Sequence, residues 1–331
     1  MCLQRVTLLY VKLLEVSKGY LLPAVAVALV RNVALALKKK GYSVSHQSVA
    51  AILSEMKYSL QANSKTKEGK AHPDRNKQFL YINRIAKKFL AQRNPVISVD
   101  TKKKDLVGNY KNAGRARRPR GNPVKVNGHD FPDKKVPKAV PYGIYDIGDN
   151  KGWINVGVTA DTAEFAVESI RQWWRKMGKK RYLTAKKLLI FADSGGSNAS
   201  RSRLWKRELQ RFVDAEKLNI TVCHFPPGTS KWNKIEHRLF SFVTMNCRGK
   251  PLLTYQTIIN LISSTMTTTG LTVKARMDKR TYKKGIKILP EEFRALQVQK
   301  HAFRGEWNYT FKPKNGKITA PKWQCYFLTG P

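Results

Sequence analysis

The sequence predicts an α/β fold, a mixed five-stranded sheet with flanking helices, preceded by a small helical unit of helix-turn-helix-like character. Three observations carry this reading. From residue 96 onward, apolar residues recur alternately with strand and helix periods, in the order βββαβαβα. One strand, Leu188-Leu189-Ile190-Phe191-Ala192, is continuously apolar, as expected where helices cover both faces of a sheet. Ahead of these elements, residues 32–60 hold two short amphipathic segments around a glycine.

Taken in order, residues 1–29 show neither caps nor period and form an atypical N-terminal segment. Val33, Ala34, Leu37 and Lys38 then make a helix that stops at Gly41, and Ser45 caps a second helix carrying Val49, Ile52 and Leu53. The pair reads as a DNA-binding helix-turn-helix or as an ordinary helical hairpin. A polar, basic linker follows at 61–75, and Phe79, Tyr81, Ile82, Ile85 and Phe89 restart a helical pattern, closing a helical DNA-binding region and linker over 30–92. Residues 93–270 read as the catalytic domain and 271–331 as a C-terminal extension.

Within the catalytic domain the first strand is Val96–Thr101, and 142–147 with 153–158 form a hairpin around a glycine-containing turn. The first long helix takes Asp161 as its N-cap and Glu164 three residues on, buries Ala166, Ile170, Trp173, Trp174 and Met177, and ends at Gly178. Strands at 187–192 and 219–224 alternate with helices at 202–215 and 231–246. A leading antiparallel hairpin followed by parallel strands is the RNase H topology. Between the first two strands lies a basic insertion, 102–140, too polar for a core. It reads as a solvated loop or as a phosphate-gripping arm.

Charge narrows the function. The chain has 63 Lys+Arg against 22 Asp+Glu, a formal charge of +41, so a polyanion is the expected partner. The apolar run at 20–37 is broken by Pro23, Arg31 and Asn32, short of the roughly 20 residues a span needs, so no membrane segment is expected. Arg5, Lys12, Glu15 and Lys18 precede that run, which argues against a signal peptide and for a cytoplasmic protein. Cys2, Cys223, Cys247 and Cys325 share no metal-ligand spacing with one another or with histidine, and Cys223-His224 reads as a buried strand-end pair.

Three carboxylates stand out. Asp100 sits inside a strand, where Asp is disfavoured. Asp193 follows the apolar strand at its carboxyl end, where open α/β sheets bind ligands. Glu236 borders a stripe of Trp232, Ile235, Leu239 and Phe242 on the last core helix. Two carboxylates about 5 Å apart at an effective dielectric near 20 repel by roughly 3 kcal/mol, so a cation must offset them. Either Mg²⁺ or Mn²⁺, as a pair about 3.5 to 4 Å apart, or a network of Lys and Arg could do so. Candidate phosphate contacts are Lys102, Lys103, Lys104, Arg115, Arg117, Arg118 and Arg120, with Lys231 and Arg238 flanking Glu236. Trp173, Trp174, Trp205 and Trp232 could stack on bases, although helical spacing favours core packing for Trp173 and Trp174.

The segments ISVDTKKKDLVGNYKN, VPYGIYDI, TAEFAVESIRQWWRKMG, ADSGGSNASR and CHFPPGTSKWNKIEHRLFSF resemble the Rhodopirellula-type DDE transposases of bacterial insertion sequences, over about Val30 to Thr310. The resemblance implies that Asp100, Asp193 and Glu236 are the catalytic triad and the ligands of two Mg²⁺ or Mn²⁺ ions. It implies cleavage and strand transfer of DNA, self-association in a synaptic complex, and a bacterial, nucleoid-associated setting without a small-molecule substrate. Asp105 stands where the family has Glu, Cys247 where it has Trp, and residues 1–29 do not look like the family's N-terminal region. A frameshifted or truncated copy would explain the last departure, and such a segment should add little to the stability of the core. An RNase H-like nuclease and a catalytically decayed DNA-binding protein are the competing readings.

Overall fold

A computed structural model describes residues 30–59, 72–128 and 136–314, in two units divided after Glu68. In the first, α1 (Val30–Lys39) and α2 (His46–Glu55) share a small core of Val33, Leu37 and Val49. Gly41, at φ +85°, ends α1, and its N–H and that of Tyr42 return to the carbonyls of Lys38 and Leu37 at 3.0 Å. Only glycine takes that left-handed conformation at no steric cost. Ser45 caps α2 as the sequence predicts, its Oγ accepting from the Ser48 N–H at 3.0 Å. The N-terminal segment 1–29 and most of the linker lie outside the described residues.

The second unit opens with α3 (Arg75–Ala91), β1 (Val96–Thr101), the short β2 (Asp105–Leu106), β3 (Lys138–Asp146) and β4 (Lys151–Gly157). After α4 (Ala163–Trp173) come β5 (Lys187–Ala192), α5 (Arg203–Glu216), β6 (Asn219–His224), α6 (Ser241–Cys247) and α7 (Tyr255–Ser263). The last elements are β7 (Thr272–Asp278), α8 (Pro290–Arg294), β8 (Val298–Lys300) and β9 (Asn308–Phe311).

The strands form one mixed nine-stranded sheet in the order β7-β4-β3-β1-β5-β6-β9-β8, with β2 beside β3. The five strands expected from the sequence are its middle: β4, β3 and β1 pair antiparallel, and β1, β5 and β6 pair parallel. The widening comes from residues expected to be an extension. β7 runs parallel to β4, and β9 pairs antiparallel with β6 and β8. Tyr309 and Phe311 of β9 are fully buried, so β9 is core and not appendage. Phe311→Ala should therefore cost about 3–5 kcal/mol, the usual range for emptying a core phenylalanine site. Denaturant unfolding measures it, and a change under about 1 kcal/mol would return β9 to the periphery.

Helices cover both faces. On one, α4 and α5 bury Phe165, Ile170, Trp173, Trp205 and Phe212 against Ile97, Val99, Ile144, Leu188 and Ile190. On the other, α3 covers Val96, Leu189 and Phe191, while the chain from Ile235 through α7 covers Tyr145, Ile154 and Val273. Two sequence expectations are corrected. The cap of α4 is Thr162, whose Oγ1 accepts from the Phe165 N–H at 3.3 Å, and Asp161 remains outside the helix. The expected helix over 231–246 is also broken. Residues Ser230–Trp232 form a 3₁₀ turn, Asn233 is extended, and a π-helical turn at Glu236–Phe240 leads into α6. Trp232 thereby leaves the buried stripe and is 52% exposed.

One glycine sets the spacing of this second face. Gly143 lies opposite Asp100 in the β1–β3 register, and a Cβ there would collide with the Phe240 ring. With no side chain at that position, the turn carrying Glu236 lies directly on the strand pair that carries Asp100.

Candidate active site

Asp100 occupies the fifth position of β1, and Asp193 follows the last residue of β5, its parallel neighbour. Both line a cavity of about 1040 Å³ at the carboxyl ends of these strands. Glu236 is not part of that lining, but it is close enough for its charge to raise the pKa of Asp100, and Asp193 in turn raises that of Glu236. Asp161 lines the same cavity and accepts a hydrogen bond from Thr101 Oγ1 at 3.2 Å, making a fourth carboxylate.

The electrostatics are those of a cluster without its counter-charge. Burial, then the charges of Asp193, Glu236 and Asp161, push Asp100 up to about 8, against the opposing hydrogen bond from the Thr101 N–H. Burial also raises Asp193, opposed by the Asn233 amide, and raises Glu236, opposed by His237 and Lys102. Among the described residues no Lys or Arg forms an ion pair with Asp100, Asp193 or Glu236, and Lys102 pairs with Asp105 at 2.9 Å. A neutralising salt-bridge network, the alternative open from sequence, is therefore not formed among the described residues. Among the described residues no three Asp, Glu, His or Cys side chains stand close enough to cage an ion as they lie. The donor set fits Mg²⁺ or Mn²⁺, hard cations that keep several waters and use one or two carboxylates together with substrate phosphate.

Buried side chains hold the two aspartates. Asn233, fully buried, donates from Nδ2 to Asp193 Oδ1 at 2.9 Å and to the Val99 carbonyl at 3.4 Å, while Ser98 Oγ donates to its Oδ1. Ser98 Oγ also accepts from the Ile235 N–H at 3.3 Å, so β1, the end of β5 and the Glu236 turn are joined in one network. Behind Asp193, burial lowers the pKa of His224 to about 4 and the ring is neutral. Its Nδ1 meets the Asp193 carbonyl at 3.0 Å and must carry the proton, leaving Nε2 to accept from the Tyr309 hydroxyl at 2.7 Å. Trp205 Nε1 donates to that hydroxyl at 3.1 Å.

The profile of the Rhodopirellula transposase DDE domain matches residues 25–313. The chain belongs to the Rhodopirellula transposase DDE domain family. A comparison of this DDE domain with curated proteins gives no match. Among solved structures, similarity is found to a Mos1 transposase paired-end complex with left transposon end, at 14% identity and a TM-score of 0.42, covering 70% of this chain and 64% of that one. A pre-cleavage Mos1 transpososome matches at 15% identity and 0.42, covering 70% and 64%. The Mos1 mariner paired end complex with Mn matches at 14% and 0.41, covering 70% and 64%. The DDE domain thus spans less than two thirds of the solved chains that it resembles.

The basic residues expected to contact phosphate lie in three places. Lys102, Lys103, Lys104 and Arg201 line the carboxylate cavity, whereas Arg115, Arg117, Arg118 and Arg120 are exposed on the insertion and form no ion pair among the described residues. Lys231 and Arg238 are exposed on either side of Glu236. The insertion is not a free loop where it is described. Asn112 Nδ2 donates to the Cys247 carbonyl at 2.8 Å, the Gly249 N–H to the Ala113 carbonyl at 2.9 Å, and the Gly108 N–H to the Leu252 carbonyl at 2.8 Å. Sequence reasoning missed Asn233, His224 and the cavity position of Asp161. Asn233 lies three residues before Glu236, a spacing that carries no local signal of its contact with Asp193. No described helix is long and apolar enough to cross a membrane.

Proposed function

We propose that this chain is a DNA transposase that cleaves a phosphodiester at the end of its insertion sequence and joins the freed 3′-hydroxyl to target DNA. Asp100, Asp193 and Glu236 form the triad and hold two Mg²⁺ or Mn²⁺ ions. The observation that carries this reading is the set of half-buried carboxylates with raised pKa values and, among the described residues, no ion-paired Lys or Arg, beside a cavity lined by Lys103, Lys104 and Arg201. When bound, the ions supply activation of the attacking oxygen and stabilisation of the leaving one. The chain's own groups do the rest. Lys103, Lys104 and Arg201 hold backbone phosphates, Asn233 fixes the Asp193 carboxylate, and neutral His224 fixes its backbone. The arginines of the insertion grip flanking DNA, and two copies bring two element ends together. Incubating a labelled element end, taken from the DNA flanking the gene, with a plasmid tests the reading. Metal-dependent joining is expected, cleavage without joining would make the protein a nuclease, and binding without either would make it a decayed copy.

Asn233→Leu keeps the volume but leaves Ser98 Oγ and Asp193 Oδ1 without their partner. The loss of a hydrogen bond to a charged group, about 1.5–3 kcal/mol, should weaken Mn²⁺ binding about 10- to 150-fold at pH 7. Because that hydrogen bond lowers the Asp193 pKa, its removal raises the pKa further, and part of the loss should be recovered at pH 9. Calorimetric titration at both pH values reads this, and equal affinities would exclude Asn233 from the site.

A further inference from the structure

We infer that Trp232 is the seat of an unpaired base on the strand entering the carboxylate cavity. The inference rests on the reading of that cavity as a DNA site. Among the described residues it is the one tryptophan left open: Trp153, Trp173, Trp174, Trp205 and Trp307 are at most 6% exposed, whereas Trp232 is 52% exposed. Burying an indole is among the larger gains available to a fold, and here half of it is forgone at a position next to the site.

The turn that carries the ring is held in place before any ligand arrives. The Trp232 N–H donates to the Thr229 carbonyl at 2.9 Å, and Thr229 is itself held through Oγ1 to the Pro226 carbonyl at 2.6 Å. Phe79 makes an edge contact with the ring at 6.3 Å between centroids, and the Lys231 ammonium stands over the ring, so a stacking base would take the place of this ammonium on the indole face. A platform ordered in advance costs a ligand little entropy. Its place is equally defined: Ser230, two residues earlier, lines the cavity, and Asn233, the next residue, reaches Asp193.

The surroundings select the ligand. Lys231 Nζ stands 5.5 Å from the ring centroid, and Lys103, Lys104 and Arg201 line the neighbouring cavity, so the aromatic ring has cations on it and beside it. That combination of stacking surface and phosphate contacts is the recognition chemistry of single-stranded nucleic acid. In a duplex both faces of each base are covered by its neighbours, so only a displaced or unpaired base can use the indole. Trp232 thereby separates the terminal nucleotide from its partner, or receives one already separated, beside the phosphate presented to Asp100 and Asp193.

The test compares the full chain with Trp232→Ala and Trp232→Leu, the second keeping apolar contact with Phe79 but no flat aromatic face. Binding is measured without divalent metal to three short probes: a blunt duplex, the same duplex with a single-stranded thymidine tail, and that duplex with an abasic tail of equal length. The native chain should prefer the thymidine tail to the abasic tail about 5- to 150-fold, the range for one stacked base. Both variants should lose that preference and bind the blunt duplex as the native chain does. Absence of the preference in the native chain, its survival in Trp232→Leu, or an equal weakening on all three probes would overturn the inference. Metal-dependent joining by the native chain, assayed separately, reports on the cavity reading itself, so failure of one is distinguishable from failure of the other.

Discussion

Asp100→Asn, Asp193→Asn and Glu236→Gln should each abolish Mg²⁺-dependent DNA cleavage while leaving DNA binding nearly unchanged, because they remove carboxylate charge and no phosphate contact. A second readout is independent of cleavage. With Asp100 raised from 3.8 to about 8 by burial and its carboxylate neighbours, the folded chain retains a proton that the unfolded chain has lost between these values. Stability from this group is therefore full below about pH 4 and falls as pH rises towards 8, and the raised Asp193 and Glu236 act with the same sign. A divalent cation replaces the proton and should restore stability at the upper end of the window. In EDTA at pH 8, Asp100→Asn should be more stable than the native chain by on the order of a few kcal/mol, and it should gain less from Mn²⁺. Melting curves at pH 5 and 8, with EDTA or Mn²⁺, measure both effects. A native chain whose stability in EDTA does not change with pH, or substantial cleavage by any of the three variants, would refute the assignment.

Replacing Arg115, Arg117, Arg118 and Arg120 together with Ala should weaken binding to all DNA sequences alike. Each lost phosphate contact should flatten the log-log salt dependence by about 0.9, or about 3.6 for four. The four guanidinium groups are exposed and make no ion pair among the described residues. Gly249→Ala provides a charge-neutral companion. Gly249 has φ +65°, and a Cβ there would stand 2.6 Å from the Ala116 nitrogen, so the substitution should pry the insertion from its anchor. Weaker binding with all charges retained is expected. An unchanged salt slope in the Arg variant would return the insertion to a solvated loop.

Much of the centre of the sheet was legible because its signals are local. β1, β5 and β6 carry continuous or alternating apolar residues within six positions, and Asp100 and Asp193 stand against those patterns. The outer strands were not legible for the converse reason. β7 exposes Lys274 and Arg276 and resembles a loop until β4 is beside it, and β9 has only four residues, buried by a partner some ninety positions earlier. The cap of α4 was displaced by one residue because Asp161 and Thr162 are both competent caps; Thr162 takes that role, and Asp161 lies in the cavity. Trp232 was placed in a helical stripe on the assumption of unbroken helix phase. The extended Asn233 and the π-helical turn after it shift that phase, and π-turns are common where a side chain must be aimed at a site.

The attachment of Asp193 to β9 has a consequence for the order in which the protein is made. Ribosomes extend chains from the N-terminus, so all three candidate carboxylates emerge well before Trp307, Asn308 and Tyr309 do. Until then His224 lacks the Tyr309 hydroxyl, its backbone N–H lacks the Trp307 carbonyl, and Gln78, which donates to the His224 carbonyl at 2.8 Å, lacks the reciprocal amide pair with Asn308. A nascent chain, or a product cut short before Asn308, carries the three candidate carboxylates without the β9 contacts behind Asp193.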